Sequence, residues 1–304
     1  MMRRRRVVLV VLGAVAAAVA ALGARAGAGD AGAVPNPCSL TGVSPPATYA
    51  HVVVIFEENA AYSKVIGSTN APFFNQLAQQ CALATNYHED AGVSQPNYMA
   101  ATGGQATGVG VHSNGPSIFG QVPSWLELEE SMGANCGGAS TFYKRGHDPA
   151  YWYTQIAAQC KLDDIPVAAS DAGLSQLPDP LPAYMFVTPN LCHNDHWKKG
   201  CPQANTDAAN LRVMDTWLSG TVQDLAATAD YQAGRTLILI AFDESSNSTT
   251  TIPMVAVAGG IRPVADATFY DQYALLRASE EALGITTFLG NAATANDMRA
   301  GMHF

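Results

Sequence analysis

The sequence predicts an α/β fold, with a mostly parallel central sheet that carries helices on both faces. Two observations support this prediction: apolar, β-branched runs recur along the chain, and they alternate with segments of helical spacing. Strands that are apolar on both sides need cover on both faces, which a sheet between two helical layers provides. The roughly 255 residues from 50 to 304 suit one large domain, and no internal repeat is visible.

The elements follow from the period of the apolar residues, taken in chain order. HVVVIF (51–56) is a continuous β-branched run of the buried-strand type, and APFFNQLAQQCA (71–82) has helical spacing. The later predicted strands are STFY (140–143), AYMFVT (183–188), TLILIAF (236–242) and PMVAVAG (253–259). The later predicted helices are 149–159, 207–219 and 271–283.

The N-terminus has the pattern of a secretory signal. Residues 1–28 place four arginines before an apolar, alanine-rich run, and A-x-A cleavage patterns follow at 24–26 and 26–28. The alternative is a retained membrane anchor, but the apolar run is short for a bilayer span. We therefore expect a secreted protein with no stable membrane span after cleavage. Residues 29–49 are rich in Gly, Pro, Ala and Ser and are predicted to be a linker or tail, with the domain at 50–304.

The charge of the chain argues against nucleic-acid binding. Residues 1–28 contain five of the 16 basic residues and none of the 25 acidic ones, so the chain without them carries 11 basic residues and a net charge near −14. Binding to a phosphate backbone needs clustered Lys and Arg. Small anionic substrates are still compatible, because a bound cation reverses the sign of the local field.

All six cysteines follow the signal, and an even count in an exported chain indicates disulfides. Proximity favours Cys136–Cys160 and Cys192–Cys201, which leaves Cys38 with Cys81. The alternative of six free thiols fits a reducing compartment, which the signal argues against. A zinc site has less support, because no two cysteines have C-x-x-C spacing.

Polar residues follow three of the apolar strands. Glu57, Glu58 and Asn59 come after HVVVIF, the segment PNLCHNDH (189–196) comes after AYMFVT, and Asp243 and Glu244 come after TLILIAF. In open α/β sheets, ligands bind beyond the carboxyl ends of the strands. Carboxylates, amides and imidazoles at one edge predict a metal site, although Glu57 and Glu58 on their own could also be solvated loop charges.

The stretch AGVSQPNYMAATGG (91–104) places a hydroxyl at the start of a helix. Pro96 suits the first turn, so Ser94 lies at the positive end of the predicted helix. A hydroxyl there ionises more readily or binds a phosphate oxygen, and a nearby cation strengthens both effects. Taken alone, a serine before a proline is more often a cap or turn residue.

Six segments occur in the order and at the spacings of a known family. They are FEENAAYSKVIGS (56–68), VSQPNYMAATGG (93–104), YKRGHDPAYWY (143–153), FVTPNLCHNDHW (186–197), RTLILIAFDE (235–244) and YALLRASEEALGI (273–285). The chain resembles the bacterial phosphoesterase family that contains acid phosphatases and phospholipase C enzymes and is related in fold to the alkaline phosphatase superfamily. The resemblance covers nearly all of the chain from residue 51 onward.

The resemblance implies roles for individual residues. It makes Ser94 the nucleophile, Asn97 a hydrogen-bond donor to the phosphoryl group, and His147 a phosphate contact or proton donor. The implied metal ligands are Glu58, Asn59, Asp243, Glu244, His196 and Asp195. The implied cofactor is one or more divalent metal ions of unknown identity. Ser94 would attack phosphorus, and water would then release a phosphoserine.

The sequence departs from the family pattern at three places. Gly92 and Gln272 stand where family members often have histidines, and Asn194 occupies the place of an acid that appears shifted to Asp195. Glutamine does not replace imidazole as a strong metal ligand, so a second metal position, if the family uses two, is expected to be weak, altered or empty. His193 and Asp195 are the candidates to compensate as ligands.

These observations predict a secreted, metal-dependent phosphoric ester hydrolase that acts on a small-molecule or lipid phosphate ester. A first alternative is a catalytically degenerate member of the fold that binds an anion or a metal. A second is a serine acyl hydrolase, for which the sequence has no G-x-S-x-G motif.

Overall fold

A mixed sheet of nine strands organises residues 35–304, which are the residues that this computed structural model describes. The predicted signal at 1–28 lies outside the described residues, as does the first part of the segment 29–49. The strands are β1 (His51–Glu57), β2 (Ala82–His88), β3 (Trp125–Glu130), β4 (Asp164–Val167), β5 (Tyr184–Thr188), β6 (Thr236–Phe242), β7 (Thr251–Ala258), β8 (Val264–Asp266) and β9 (Tyr270–Asp271).

The strand order is β4-β3-β5-β1-β6-β7-β2-β8, with β9 also paired to β2. Only β7 runs antiparallel to its neighbours β6 and β2, while the other described pairs are parallel. Every residue of β5 and β6 is buried, so the centre of the sheet is covered on both faces. The predicted α/β class with a mostly parallel sheet is confirmed.

Helices of varied length connect the strands. They are α1 (Tyr62–Val65), α2 (Pro72–Gln80), α3 (Ser94–Gly103), α4 (Ile118–Gln121), α5 (Ala157–Asp163), α6 (Asp207–Ala226), α7 (Ala229–Gln232), α8 (Gln272–Ala282) and α9 (Met298–Met302). Short 3₁₀ turns cover Arg145–His147, Ala150–Trp152, Thr154–Ile156 and Gly290–Ala293. Helix α2 packs against α6, and α3 packs against α8. None of the helices among residues 35–304 has both the length and the apolar content needed to cross a bilayer.

Two predicted elements are wrong, and both lie between β3 and α5. The segment STFY (140–143) is a loop in which Tyr143 is buried and donates to Asp148. The predicted helix at 149–159 is two 3₁₀ turns followed by α5. The backbone of Tyr153 is extended, with φ of −98° and ψ of 110°, and this residue separates the two turns and interrupts the helix.

Three disulfides join the chain with the pairing that proximity favours: Cys38–Cys81, Cys136–Cys160 and Cys192–Cys201. The first joins the segment that precedes β1 to the end of α2. In the same segment, the Pro37 carbonyl accepts a hydrogen bond from the Tyr231 hydroxyl. The compact unit accordingly begins at Asn36, within the segment predicted as a linker or tail.

Candidate active site

The two central strands β1 and β6 end side by side and deliver the main carboxylates of the site. Their parallel register pairs Glu57 with Phe242, so Glu58 and Asp243 are the next residues on neighbouring strands. The Asp243 N–H donates to the Glu57 carbonyl at 3.0 Å and extends the pairing by one bond. Because both strands finish at the same edge, two acidic side chains separated by 185 positions in sequence become neighbours, as the strand-end argument predicts.

Glu58, Asp243 and Glu244 form one cluster of carboxylates. One oxygen atom from each lies within 4.8 Å of the others. Glu58 and Asp243 are fully buried, and Glu244 is 9% exposed. Asp243 Oδ1 accepts hydrogen bonds from the N–H groups of Asn59 and Glu244, whereas Asp243 Oδ2 is buried with no hydrogen-bond partner. Burial of Glu58 also excludes the alternative that it is a solvated loop charge.

Burial raises the pKa of each carboxyl in the cluster. The pKa of Glu58 rises to about 7, mainly through burial. The pKa of Glu244 also rises to about 7, through burial and then the charge of Asp243. The pKa of Asp243 rises well above its usual value through burial and the nearby Glu58. Burial of an uncompensated charge costs several kcal/mol of folding free energy. A bound cation would offset this cost for the three buried carboxylates. Their hard oxygen atoms are suitable ligands for a divalent ion.

Ser94 is the first residue of α3, at the helix end that favours negative charge. The residue is 7% exposed, and its hydroxyl donates to Glu244 Oε1 at 3.1 Å. Ser94 thus contacts Glu244, whose carboxylate belongs to the same cluster as Glu58 and Asp243. The sequence predicted that Glu58, Ser94 and Asp243 lie close together. The alternative that Ser94 only caps the helix is not supported, because the N-cap position is Val93 and the Ser94 hydroxyl donates to Glu244.

His147 joins the cluster from the 3₁₀ turn Arg145–His147. Its Nε2 lies 2.9 Å from Glu58 Oε1 without hydrogen-bond alignment, and its ring stacks on Tyr98 with centroids 5.2 Å apart. Burial and then the charge of Lys144 lower the pKa of His147 to about 3. A neutral imidazole whose nitrogen faces a carboxylate has the arrangement of a metal ligand.

The two asparagines that were predicted to be site residues form hydrogen bonds with neighbouring groups of the protein. Asn97 Oδ1 accepts from the N–H groups of Asp90 and Ala91, and its Nδ2 donates to the carbonyls of Ala91 and Val93. Its amide therefore holds the loop before Ser94, and the predicted contact with the phosphoryl group is not supported. Asn59 is half-buried with φ of 43°, and its side-chain amide donates to Glu58 Oε2.

Asp195 and His196, both predicted metal ligands, lie outside the carboxylate cluster. Lys64 Nζ is 2.7 Å from Asp195 Oδ2, so this carboxylate already has a cation. His196 Nδ1 accepts from the Trp197 N–H at 2.8 Å. His193, the other candidate substitute, is held between Glu130 and Asp171 at 2.8 and 3.0 Å. These loop residues follow β5, and each has contacts of its own outside the cluster, although the charges of His147 and Lys144 act on the His196 imidazole.

Two of the three departures from the family pattern, Gln272 and Gly92, have different surroundings. Gln272 is fully buried, and its Nε2 donates to the carbonyls of Phe242 and Asp243 at 3.0 Å each. The Tyr87 hydroxyl donates to its Oε1. Gln272 thus supports the backbone that carries Asp243. Space is open beside Gly92, since a Cβ there would meet nothing within 4 Å.

Sequence reasoning missed two residues that contribute to the site. The Tyr98 hydroxyl donates to Glu58 Oε1 at 3.2 Å, and its position one helical turn after Ser94 is the pattern that could have revealed it. Lys144 is exposed, and its charge acts on Glu58, His147 and Glu244. It lies in an irregular loop, where the sequence gives no periodic pattern from which to place it.

Comparison with curated proteins finds phosphatases. The chain is 26% identical over 289 residues to the phosphatidylinositol-3-phosphatase of Mycobacterium tuberculosis, covering 88% of each chain. It is 26% identical to a probable acid phosphatase of Kluyveromyces lactis, covering 77% of this chain and 58% of the relative. It is 24% identical to an acid phosphatase of Aspergillus fumigatus, covering 73% of this chain and 52% of the relative. No family model matches the chain.

Solved structures share the fold. A protein of the alkaline phosphatase superfamily from Vibrio parahaemolyticus superposes with a TM-score of 0.58 and 11% identity, covering 84% of this chain and 72% of that one. A lipoteichoic acid synthase from Listeria monocytogenes gives a TM-score of 0.55 and 10% identity, covering 83% and 76%. The resemblance to phosphoesterases is thereby confirmed: the homologues are phosphatases, hydrolases of phosphoric ester bonds, and the fold is that of the alkaline phosphatase superfamily.

Proposed function

We propose that this protein is a metal-dependent phosphatase in which Ser94 is the nucleophile. The observation that carries the proposal is the hydrogen bond from Ser94 to Glu244, a member of a buried cluster of three carboxylates at the carboxyl ends of β1 and β6. Hydrolysis of a phosphate ester requires positive charge, a positioned nucleophile and stabilisation of the leaving oxygen. The homology to phosphatases supports the same reaction class.

Glu58, Asp243, Glu244 and His147 would hold the divalent ion. When bound, such an ion supplies the positive charge that neutralises the phosphoryl oxygens and the cluster itself. Asn59 and Tyr98 contribute indirectly, because their donors orient the oxygens of Glu58 and Asp243. Asn97 contributes through the loop that it fixes ahead of Ser94.

The reaction uses two steps of covalent chemistry on this chain. Ser94 Oγ attacks phosphorus, its proton passes to Glu244, and the bond from phosphorus to the leaving alkoxide breaks. The alkoxide takes a proton from solvent. Water then attacks phosphorus in the phosphoserine, the bond from phosphorus to Ser94 Oγ breaks, phosphate leaves, and Glu244 returns its proton to Ser94. The start of α3 favours the developing negative charge throughout.

The test is turnover of p-nitrophenyl phosphate by protein that is stripped with a chelator and then given single divalent ions. We expect no release of p-nitrophenol after chelation and recovery with at least one ion. Ser94→Ala should abolish turnover and retain the bound metal, whereas the matched control Ser219→Ala, in α6, should retain both. If Ser94→Ala turns over at the wild-type rate, Ser94 is not the nucleophile.

The same assay separates the enzyme from the degenerate binding protein that Gly92 and Gln272 suggest. A folded wild-type protein that binds a divalent ion yet releases no p-nitrophenol with any metal would favour that alternative. Turnover of acyl esters that survives chelation would instead favour the serine acyl hydrolase.

A lipid phosphate ester is the substrate class that the surface near Ser94 favours. Val93, Val109 and Val111 are 47%, 67% and 52% exposed. Val93 directly precedes Ser94, and the loop with the other two is tied to α3 by a hydrogen bond from the Gly110 N–H to Gln95. Exposed apolar side chains beside a phosphate site suit contact with acyl chains. The homology to a phosphatidylinositol-3-phosphatase supports this choice.

Vesicles that contain phosphatidylinositol 3-phosphate test the lipid preference. Val109→Ser with Val111→Ser should lower turnover of the vesicles and leave p-nitrophenyl phosphate turnover unchanged. Leu162→Ser, which alters an exposed apolar residue of α5, should change neither. Equal loss on both substrates in the double variant would contradict a role in lipid contact.

Secretion is proposed on two grounds. Residues 1–28 have a signal pattern, and the structure pairs all six cysteines in disulfides, which persist in oxidising compartments. N-terminal sequencing of protein recovered from the culture medium of an expressing bacterium tests it. A mature N-terminus near residue 27 or 29 is expected, and retention of the intact leader on cell-bound protein would contradict it.

A further inference from the structure

A second group of acidic side chains is buried between β3, β4 and the 3₁₀ turns before α5. We call Glu127, Glu129, Asp148 and Asp164 the β3–β4 carboxylate cluster. All four are at most 1% exposed, and none belongs to the site described above. One ligand atom from each of Glu127, Asp148 and Asp164 lies within 4.8 Å of the others. Such burial of four carboxyls calls for a physical partner.

The sheet geometry explains why these groups face one another. Glu127 and Glu129 are two positions apart on β3, so their side chains point to the same face. Asp164 begins β4 and is the register partner of Glu127. Asp148 reaches the same place from the loop between β3 and α5. The charges of Asp148 and Asp164 act on both glutamates.

Some carboxylate oxygens of this cluster accept hydrogen bonds from the protein, and others have no partner. Glu127 Oε2 accepts from the Ala150 N–H, and Asp148 accepts from the Tyr151 N–H and the Tyr143 hydroxyl. In contrast, Glu127 Oε1, Glu129 Oε1 and Asp164 Oδ1 are buried with no hydrogen-bond partner. The donors thus orient the carboxylates, as supporting groups do around a metal, and three buried oxygens lack a partner.

No side-chain cation compensates these charges within residues 35–304. None of the four carboxylates takes part in an ion pair with Lys, Arg or His in the described part of the chain. The charge of Arg145 acts on Asp148, but its guanidinium forms no ion pair with that carboxylate and donates to the Gly137 carbonyl at 2.7 and 3.0 Å. The charge balance therefore requires bound protons or a bound cation.

We propose that the β3–β4 carboxylate cluster binds a divalent cation of the Ca²⁺ class, as a structural site separate from the catalytic one. Ca²⁺ takes oxygen ligands at about 2.3–2.6 Å, so ligand atoms on opposite sides of the ion are at most about 5 Å apart. The 4.8 Å spacing of ligand atoms from Glu127, Asp148 and Asp164 meets this limit. An all-oxygen ligand set selects Ca²⁺ over softer transition metals.

The site joins the sheet edge to the loop that carries His147. Asp148 directly follows His147, so adjacent residues serve the structural site and the catalytic site. Thr188 Oγ1, at the end of β5, also donates to the His147 carbonyl. A cation held by Asp148 and the two strands would fix this loop, and its removal would loosen the His147 backbone.

Ca²⁺ titration of chelator-treated full-length protein tests the proposal, with thermal unfolding as the readout. Saturating Ca²⁺ should raise the wild-type midpoint by roughly 5–10 °C, which is the effect of a ligand near 100 times its Kd on a chain of this size. Glu129→Gln and Asp164→Asn should lose most of this rise. Both replacements are nearly isosteric, so the proteins should fold.

The control is Asp243→Asn, which alters the catalytic cluster only. Its unfolding midpoint should still rise with Ca²⁺, and it should bind one ion in equilibrium dialysis with ⁴⁵Ca²⁺. Failure of the proposed phosphatase mechanism would not affect this result. If Asp243→Asn loses the response and Glu129→Gln keeps it, the ion belongs to the catalytic site and the inference is wrong. If Ca²⁺ has no effect on the wild type, the carboxyls share protons instead, and the inference is equally wrong.

Discussion

The contact between His147 and Glu58 shows how single side chains reveal the chemistry of the site. The two groups lie 2.9 Å apart, yet the pKa of His147 is lowered to about 3 and that of Glu58 is raised to about 7. A simple ion pair would shift both values in the opposite directions. At neutral pH the imidazole is uncharged, so it gives Glu58 no compensating charge. A cation bound beside these two side chains, as proposed, would provide one.

Lys144 is predicted to assist binding of the anionic substrate. It is exposed and forms no ion pair with a carboxylate among residues 35–304, yet its charge reaches the site. We expect Lys144→Met to raise KM for p-nitrophenyl phosphate about tenfold, which corresponds to ~1.4 kcal/mol. The effect should shrink at high salt, because exposed charges are screened. Steady-state kinetics at two ionic strengths measure it.

Lys161→Met is the matched control for that prediction. Lys161 is an exposed lysine in the last turn of α5, and it forms no ion pair with Glu58, Asp243 or Glu244 among residues 35–304. Its replacement should leave KM unchanged at both salt concentrations. Similar effects of the two variants would mean that net charge, and not the position of Lys144, governs substrate binding.

Asn97 is predicted to act as a positioning residue. Its four hydrogen bonds fix residues 90–93 ahead of Ser94. We expect Asn97→Ala to lower kcat by about 100-fold with little change in KM, because a displacement of about 1 Å in the nucleophile has this effect. Asn97→Asp keeps the acceptor for the Asp90 and Ala91 N–H groups and should recover part of kcat. An unchanged kcat in Asn97→Ala would show that the loop holds its shape without the amide.

At the scale of elements, strand ends were the most predictable part of the site. β1 and β6 are continuous apolar runs, so their positions are clear from the sequence, and parallel neighbours must finish at one edge. Glu58, Asp243 and Glu244 therefore meet as expected. The start of α3 was equally clear from Pro96, which placed Ser94 beside them.

Strand β3 could not be recognised from its sequence. WLELEE (125–130) places three glutamates in a strand whose residues are buried or half-buried, a composition that hydrophobic patterns assign to the surface. Tertiary contacts override the pattern, since Glu127 receives the Ala150 N–H and Glu130 is bonded to His193. The acidic strand that the periodicity missed is the one that forms the proposed Ca²⁺ site.

The loop after β5 was also beyond sequence reasoning. Asp195 has φ of 67°, a left-handed conformation that sets its side-chain direction, and Lys64 pairs with it. The direction of a side chain in an irregular loop depends on the path of the backbone. The sequence of such a loop has no periodic pattern from which that path could be predicted. The residue types at 193–196 suggested ligands, but their placement depended on partners elsewhere in the chain.

The junction between α8 and β6 gives a prediction at this scale. Gln272, the first residue of α8, caps the end of β6 through the carbonyls of Phe242 and Asp243. Gln272→Leu would leave two buried carbonyls and the Tyr87 hydroxyl without their partner. We expect it to lower the free energy of unfolding by about 2–3 kcal/mol and to weaken metal binding, because Asp243 would lose its backbone support.

Urea denaturation and dialysis with the activating metal measure these two effects. Tyr87→Phe serves as the control, because it removes only the hydroxyl on the far side of Gln272 and should cost about 1 kcal/mol with metal affinity unchanged. If Gln272→Leu is as stable as the wild type, the junction does not depend on the amide.

Across the whole molecule, raised carboxyl pKa values set the response to pH. Burial raises the pKa of Asp90, Asp195 and Glu280 to about 7 and that of Asp215 to about 6. The folded chain therefore holds these protons more tightly than the unfolded chain does, and the stability that they contribute is present at acid pH. It is lost progressively as pH rises from the unfolded values near 4 through the folded values near 7.

We therefore expect the chelated protein to be more stable at pH 4.5 than at pH 7.5, with a fall in the thermal midpoint between them. Divalent ions bind only ionised carboxylates, so their stabilisation should grow over the same range and reduce or reverse the fall. Thermal unfolding across this pH series, with a chelator and then with saturating divalent ion, separates the two effects. A rise in stability of the chelated protein toward pH 7.5 would mean that the buried carboxyls have cationic partners that outweigh their desolvation.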